Sequence, residues 1–538
     1  MSDLSPLTVR RERPFRPADW LAFPLLSLVG LVAIVFFARG WLAVGWGTHP
    51  ILTLLLAGLV IMLVVNQQGR WALLLPMRRP RPMAPMPDAR VAVVTTFVPG
   101  AESQEMLAAS LRALVAVEYP HDTWLLDEGN SAETVALCKS LGVRHFSRRG
   151  RPEYQADEGP FRAGTKHGNY NAWLHEAGFG HYDILAAFDP DHMPMPGYLD
   201  HTIGYFRDPN IGYVQAAQAF YNQDASLIAR GAAEETYAYF SAVQMAGYGL
   251  DYPIIVGSHN VHRMAALESV GGLAAHDADD LLLTLRYRAA GWGGVYVPRI
   301  LARGTTPVDW RGYLAQQRRW ARSVLDLKLR HRTGYATQLP LHARIMSFLH
   351  GLNFLHRSLA WLVGIVVLAW LLATRGALPL LSSQMFVPAL VLGGALGAQE
   401  LYRQRFYLDW RNEQGMHWRA SLLGFAKWPW FVLALVDVVT NRQIAYVITQ
   451  KSSRGHRHAL FVRWNACVAA ALSLAAAIGW LQGTVAVVPL ILAAALVALS
   501  LFLVISGMRA PPVATLPTAW PPPSTAAAPG PARPRLVT

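Results

Sequence analysis

An apolar run in this sequence closes on two aspartates set two apart: DILAAFD (183–189) passes into Pro190, Asp191 and His192. Read as a strand end, it lets Asp189 and Asp191 reach a divalent cation, Mg2+ or Mn2+, bridging two phosphates, a task for hard oxygen ligands. A D-x-D standing alone is more often a turn or a helix cap. LLDEGN (125–130) puts Asp127 at another strand end, with Gly129 in a turn. That carboxylate suits a uracil ring or a ribose, and an Asx-turn accounts for it equally well. KHGNYN (166–171) lies ahead of a helix expected from near Ala172. Lys166 can meet a phosphate there and Gly168 lets backbone approach it, although an ordinary helix start reads the same way. AHDADD (275–280) opens an amphipathic helix. Its acids suit the macrodipole, and the chemical reading makes Asp280 a general base for an acceptor hydroxyl. Residues 305–330 begin with Thr306 as cap, Pro307 in the first turn and Asp309 three beyond Thr306. Within them, Arg319 suits a diphosphate and Trp320 offers a sugar ring an aromatic face. A basic interfacial helix explains that segment too.

The elements that must position these groups alternate. RVAVVTTF (90–97), TWLLD (123–127) and DILAAFD (183–189) read as short strands, and EMLAASLRALVAV (105–117) as a helix between them. Such alternation predicts an α/β domain on a mostly parallel sheet, with ligands at the carboxyl ends of its strands.

The rest of the chain is too apolar for an ordinary soluble protein and too polar to be all membrane: 53% of 538 residues are hydrophobic, 15% are charged, and mean hydropathy is +0.23. Spans are expected at 21–39, 50–66, 358–373, 380–398, 464–481 and 485–506. Residues 417–440 are apolar enough for a seventh. Crossing there would put the basic loops 402–411 and 451–458 on opposite sides, against the positive-inside rule. Lys427, Pro429 and Asp437 also interrupt the run, so an interfacial helix is expected. The net charge of +14 gathers near the apolar segments and late in the soluble block. It suits lipid head groups and a nucleoside diphosphate, and no nucleic-acid recognition motif accompanies it. Two cysteines in different regions, Cys138 and Cys467, exclude a disulfide framework and a thiolate metal site. The basic N-terminus before an apolar run without a small-residue cleavage site reads as a retained anchor.

In order and spacing, Asp127, the 166–171 segment, Asp189 with Asp191, Asp280 and Gln316-x-x-Arg319-Trp320 resemble the D, D, D, Q-x-x-R-W pattern of processive family 2 glycosyltransferases. That group includes the cellulose, chitin, hyaluronan and curdlan synthases, and the bacterial cellulose synthase catalytic subunits are nearest in pattern. The resemblance runs over most of 90–460. KHGNYN is similar to the family's K-A-G-N-x-N, FYN (220–222) to its F-F-N, and YVITQK (446–451) to its F-x-V-T-x-K gating loop.

The resemblance implies a GT-A type domain inserted between transmembrane helices. By position, Asp127, Lys166, Asn169, Asp189 and Asp191 would bind a UDP-sugar, with metal on Asp191 and Asp189. Asp280 would be the catalytic base. Gln316, Arg319, Trp320 and His259 would serve the pyrophosphate and the acceptor, and Tyr446, Thr449 and Lys451 would form the gating loop. The implied partners are the donor, a growing polysaccharide, the bilayer and accessory export proteins, but not nucleic acid. The implied setting is a bacterial inner membrane with the catalytic domain cytoplasmic. The expected organisation is 1–66 with two spans, 67–340 catalytic, 341–400 with spans three and four, 401–460 with the interfacial helix and gating-like loop, 461–508 with the last two spans, and a disordered Pro/Ala-rich tail at 509–538.

Departures from the pattern fall on the family's acceptor side. T-E-D becomes Ala278, Asp279, Asp280; His259 is the third residue of the G-S motif; and Val98–Gly100 replaces part of the opening motif. They leave products other than cellulose open. The cyclic di-GMP signature, R-x-x-x-R followed by D-x-S-x-x-G, is not found in this sequence.

Overall fold

A computed structural model describes residues 8–47, 49–331, 334–374, 378–442 and 461–508. The expected gating loop with Tyr446, Thr449 and Lys451, and the expected tail, lie outside these residues.

The block between the second and third apolar helices is built on an eight-stranded sheet. Its strands are β1 (Val91–Phe97), β2 (Asp122–Asp127), β3 (Arg144–Phe146), β4 (Ile184–Phe188), β5 (Met193–Pro194), β6 (Ile211–Phe220), β7 (Asn260–Arg263) and β8 (Gly293–Gly304). They lie in the order β3-β2-β1-β4-β7-β6-β8-β5. The three expected strands form and pair in parallel, β1 between β2 and β4. The sheet as a whole is mixed, because β7 inserts antiparallel between β4 and β6. The cause is long-range. The chain crosses helices after β6 and returns from the opposite end, so β7 runs against both neighbours.

Alternation along each strand fills both faces. Val91, Val93 and Phe97 enter one core with Leu107, Leu111 and Leu114, the buried stripe of α1 (Gln104–Val115). Ala92 and Val94 enter the other core with Tyr170, Trp173 and Leu283. A sheet buried on both faces needs this near-continuous apolar run.

Among the described residues, seven helices are long and apolar enough to cross a membrane: Asp19–Val44, Pro50–Ala72, Phe354–Ala373, Ser383–Phe406, Trp418–Val439, Arg463–Leu481 and Val487–Met508. Six coincide with expected spans. The other, Trp418–Val439, differs from them in having 61% of its apolar window buried inside the protein, against 11–33% for the rest.

Candidate active site

Two sequence expectations about local structure change once the helices are seen. Lys166 to Asn171 do not precede a helix but begin one, α2 (Lys166–Trp173). The Thr165 side chain caps it by accepting the Gly168 N–H at 3.2 Å. Gly168 is required by space, since a Cβ there would sit 2.2 Å from the Arg162 carbonyl oxygen. The helix carrying Gln316 starts not at Thr306 but as α3 (Trp310–Leu329), with Asp309 accepting the Gly312 N–H at 2.8 Å as its cap. Thr306 belongs to the loop because Asn222 brackets its backbone. The amide nitrogen donates to Thr306 O at 2.8 Å and the amide oxygen accepts Thr306 N–H at 2.9 Å.

Asp189 and Asp191 follow the end of β4, at the carboxyl edge of the sheet. Lys166, the first residue of α2, reaches across to Asp189 Oδ1 at 2.6 Å and to the Gly257 carbonyl at 2.5 Å. Burial opposes the Lys166 charge, but the Asp189 carboxylate, Tyr170 and Asp279 outweigh it and its pKa moves up. The Ser258 hydroxyl oxygen accepts the Asp189 N–H at 3.0 Å and fixes the turn. Asp191 lies deeper. The Thr305 hydroxyl donates to its Oδ2, and His192 Nδ1 lies 3.1 Å from its Oδ1.

Ligand atoms of Asp189, Asp191 and His192 lie within 4.8 Å of one another. The His192 Nε2 is buried without a hydrogen-bond partner among the described residues. Two carboxylates and an imidazole fit a hard divalent cation and do not distinguish Mg2+ from Mn2+. His192 was legible as part of FDPDH. Its role was missed because one residue's step from Asp191 says nothing of where the ring turns.

Asp279 and Asp280 open α4 (Asp279–Ala289). Asp280 accepts the Gly257 N–H at 3.1 Å and the Leu281 N–H at 2.8 Å, while Asp279 accepts the Asp280 N–H at 2.9 Å. Burial, then the Asp280 charge, pushes the Asp279 carboxyl up to about 7 against the pull of Lys166. Burial also raises Asp280, although the N–H groups of Leu281 and Gly257 hold it down. Gly257 therefore ties the two acidic centres together, its carbonyl on Lys166 and its N–H on Asp280.

Lys166, Asn169, Asp189, Asp191, Asp280, Gln316, Arg319 and Trp320 line one cavity of about 3090 Å³. Trp320 is 46% exposed, with its ring open to that space. Two of the expected residues lie elsewhere. Asp127 is fully buried, its oxygens accepting the N–H groups of Gly129 at 2.7 Å and Asn130 at 2.8 Å. This is the Asx-turn alternative, and its neighbour Glu128 lines the cavity instead. His259 is also fully buried, its ring 4.6 Å from that of His192 and its Nδ1 3.2 Å from the Ala217 carbonyl. Burial lowers its pKa well below the usual range, so it backs the acidic pair as a neutral ring.

The cavity does not stop at the catalytic domain. Its wall continues through Glu235, Gln317 and Lys427 to Trp361, Ile365, Leu368, Leu371, Leu492 and Leu496 of the membrane helices.

Comparison with known proteins agrees with this geometry. Residues 184–398 match the family model described as Glycosyl transferase family group 2. Cellulose synthase 1 of Komagataeibacter xylinus is 26% identical over 299 residues, 54% of this chain and 18% of that protein. The cellulose synthase 1 catalytic subunit (UDP-forming) of the same organism is 25% identical over 261 residues, 46% of this chain and 33% of that one. The chain thus spans a third or less of the length of these relatives. Among solved structures, the mannosyltransferase PcManGT from Pyrobaculum calidifontis, in complex with GDP-Man and Mn2+, superposes with a TM-score of 0.49 at 17% identity, over 72% of this chain and 99% of that one. The family match begins at β4, the strand that delivers Asp189 and Asp191, so the acidic pair lies within the part of the chain that is similar to family 2 glycosyltransferases and to cellulose synthase.

Proposed function

We propose that this multi-pass membrane protein polymerises a UDP-sugar, UDP-glucose in preference to UDP-GlcNAc, into a β-linked polysaccharide and passes the polymer through its own membrane helices. The observation behind this reading is the single cavity. Acidic pair, base, Gln316, Arg319 and Trp320 share it, and it runs on between the membrane helices. A transferase of one sugar to a lipid carrier would account for the membrane helices and the acidic pair but not for Gln316, Arg319 and Trp320 in the same cavity.

In this reading Asp189 and Asp191, with His192 behind them, would hold a divalent cation, which when bound would supply charge to stabilise a departing diphosphate. Lys166 and Arg319 bring fixed positive charge to the same phosphates. Asp280 takes the proton from the acceptor hydroxyl as it attacks the anomeric carbon from the face opposite the leaving group. Displacement on one side inverts the centre and gives a β-linkage from an α-linked donor. Trp320 stacks the acceptor end of the chain, and Gln316 orients it. In the same reading Glu128, not Asp127, faces the nucleotide.

The catalytic domain (67–340) and both termini then lie in the cytoplasm of a bacterial inner membrane, with six spans and 418–439 at the interface. Accessory export proteins would receive the product.

Incorporation of labelled sugar by purified protein in lipid vesicles, with UDP-glucose and UDP-GlcNAc offered separately, tests the assignment. Polymer from one donor, abolished by EDTA and by Asp280→Asn, is the expected result. Transfer of a single sugar to lipid, or an Asp280→Asn protein that polymerises as well as the parent, would overturn it.

A further inference from the structure

Where the cavity leaves the catalytic domain it passes the ends of three membrane helices: α5 (Pro50–Ala72), α6 (Leu341–Ala373) and α7 (Phe386–Arg403). Arg70 and Arg403 stand in the last turns of α5 and α7, and Arg357 stands in α6 near the start of its apolar stretch, Phe354–Ala373. Trp71 and Phe406, beside two of them, are built into the catalytic core itself. This is the depth at which lipid phosphates meet membrane helices.

Arg70 is close enough to Arg403, Arg357 and Glu400 for their charges to act on it. Glu400 is the carboxylate among them, accepting Arg403 Nη2 at 2.5 Å and Gln67 Nε2 at 3.3 Å. Arg403 is 2% exposed and spoken for by that pair. Arg70 and Arg357 line the cavity and, among the described residues, have neither an ion pair nor a hydrogen bond from their side chains. Glu400 pairs with Arg403 and feels the charge of Arg70, so Arg70 and Arg357 are left without a paired carboxylate among the described residues. Arginines that merely snorkel from helix ends point out to the head groups; these two face the cavity.

Further along the helices the same wall is apolar. Leu56, Leu59 and Leu63 of α5 and Leu396 and Leu401 of α7 line it. Positions 56, 59, 63 and 70 fall on one face of α5. Leu63 and Leu401 are 61% and 55% exposed, so the wall is open sideways there. From Arg70 to Leu59 is about 16 Å along a helix, near half of a hydrocarbon core about 30 Å thick. A charged head and an apolar groove of one leaflet's depth describe a phospholipid.

We propose that an anionic phospholipid of the leaflet beside the catalytic domain binds here. Its phosphate rests on Arg70 and Arg357. One acyl chain lies along Leu59, Leu63, Leu396 and Leu401, closing the cavity against the bilayer.

Native mass spectrometry of the full-length protein in detergent tests this, with phosphatidylglycerol, phosphatidylcholine of the same chains, or inorganic phosphate added at equal concentration. Phosphatidylglycerol is expected to be retained roughly tenfold or more over phosphatidylcholine. Arg70→Gln with Arg357→Gln should bring the two lipids to parity with an unchanged circular dichroism spectrum. Leu63→Trp, which fills the groove and keeps both arginines, should weaken retention of phosphatidylglycerol and serves where the double variant fails to fold. Equal retention of the two lipids by the parent would overturn the proposal. So would displacement of phosphatidylglycerol by inorganic phosphate, or a folded double variant that keeps the preference.

Discussion

Asp279 and Asp280 stand side by side at the start of α4, and their hydrogen bonds separate the roles open to them. Asp280 is anchored by two backbone N–H groups, one from its own helix and one from Gly257, the residue that also holds Lys166. Asp279 accepts the N–H that follows it and is pushed up to about 7 by burial and the Asp280 charge. Both carboxyls bind protons more tightly than usual, so a base drawn from this pair loses its function as pH falls. The rate of transfer is expected to fall on the acid side from a higher pH than an ordinary carboxylate would give, measured as kcat against pH. Asp280→Asn should cost about 10²–10⁴ in kcat, the usual contribution of a general base, and Asp279→Asn distinctly less. Stability follows the same proton with its own sign. The folded chain keeps the Asp279 proton from the ordinary 3.8 up to about 7, where the unfolded chain has lost it. Its contribution to stability therefore falls as pH rises through that window and is level above it. Thermal unfolding at pH 5 and pH 7 should show a smaller difference between the two pH values in Asp279→Asn than in the parent.

At the scale of elements, the helix Trp418–Val439 is held to the catalytic domain by charges that a lipid-facing helix would not keep. Lys427 Nζ donates to Glu235 at 2.6 Å and to Gln317 at 3.3 Å, and the Tyr313 hydroxyl reaches the same Glu235 at 2.7 Å. Arg318 pairs with Asp437 at 2.5 Å. Glu235 and Lys427 are 16% and 9% exposed, so neither can be left alone cheaply. Lys427→Met is expected to destabilise the protein by about 3–5 kcal/mol, the cost of stranding a buried charge. Glu235→Gln combined with Lys427→Met should recover most of that, read from thermal unfolding in detergent. The sequence marked Lys427, Pro429 and Asp437 as interruptions of an apolar run. Their partners, on α3 and on the helix Leu227–Ala238, lie more than a hundred residues away and could not be read from the run itself.

For the whole molecule, the issue is which side of the membrane each loop occupies. If Trp418–Val439 lies at the interface, Gly415 and Asn441 face the same side as the catalytic domain; if it crosses, they face opposite sides. Single cysteines at these two positions, in a chain whose exposed Cys467 is replaced, should both react with a membrane-impermeant thiol reagent from the side of the catalytic domain. Labelling of position 441 from the other side alone would establish a seventh span.

The sequence by itself determined what depends on neighbours along the chain. Apolar run length set the membrane helices, alternation set β1, β2 and β4, and a strand end placed Asp189 and Asp191 together at an edge. Tertiary structure decided burial and partnership, because those depend on contacts across the chain. It turned Asp127 inward on its own turn and brought Glu128 to the cavity. It set His259 behind His192 and joined Thr305 to Asp191 over 114 residues. It also reversed β7 between two parallel strands. The continuity of one cavity from Asp189 to Leu496 is a property of packed helices and sheet together, so no segment of the sequence holds it.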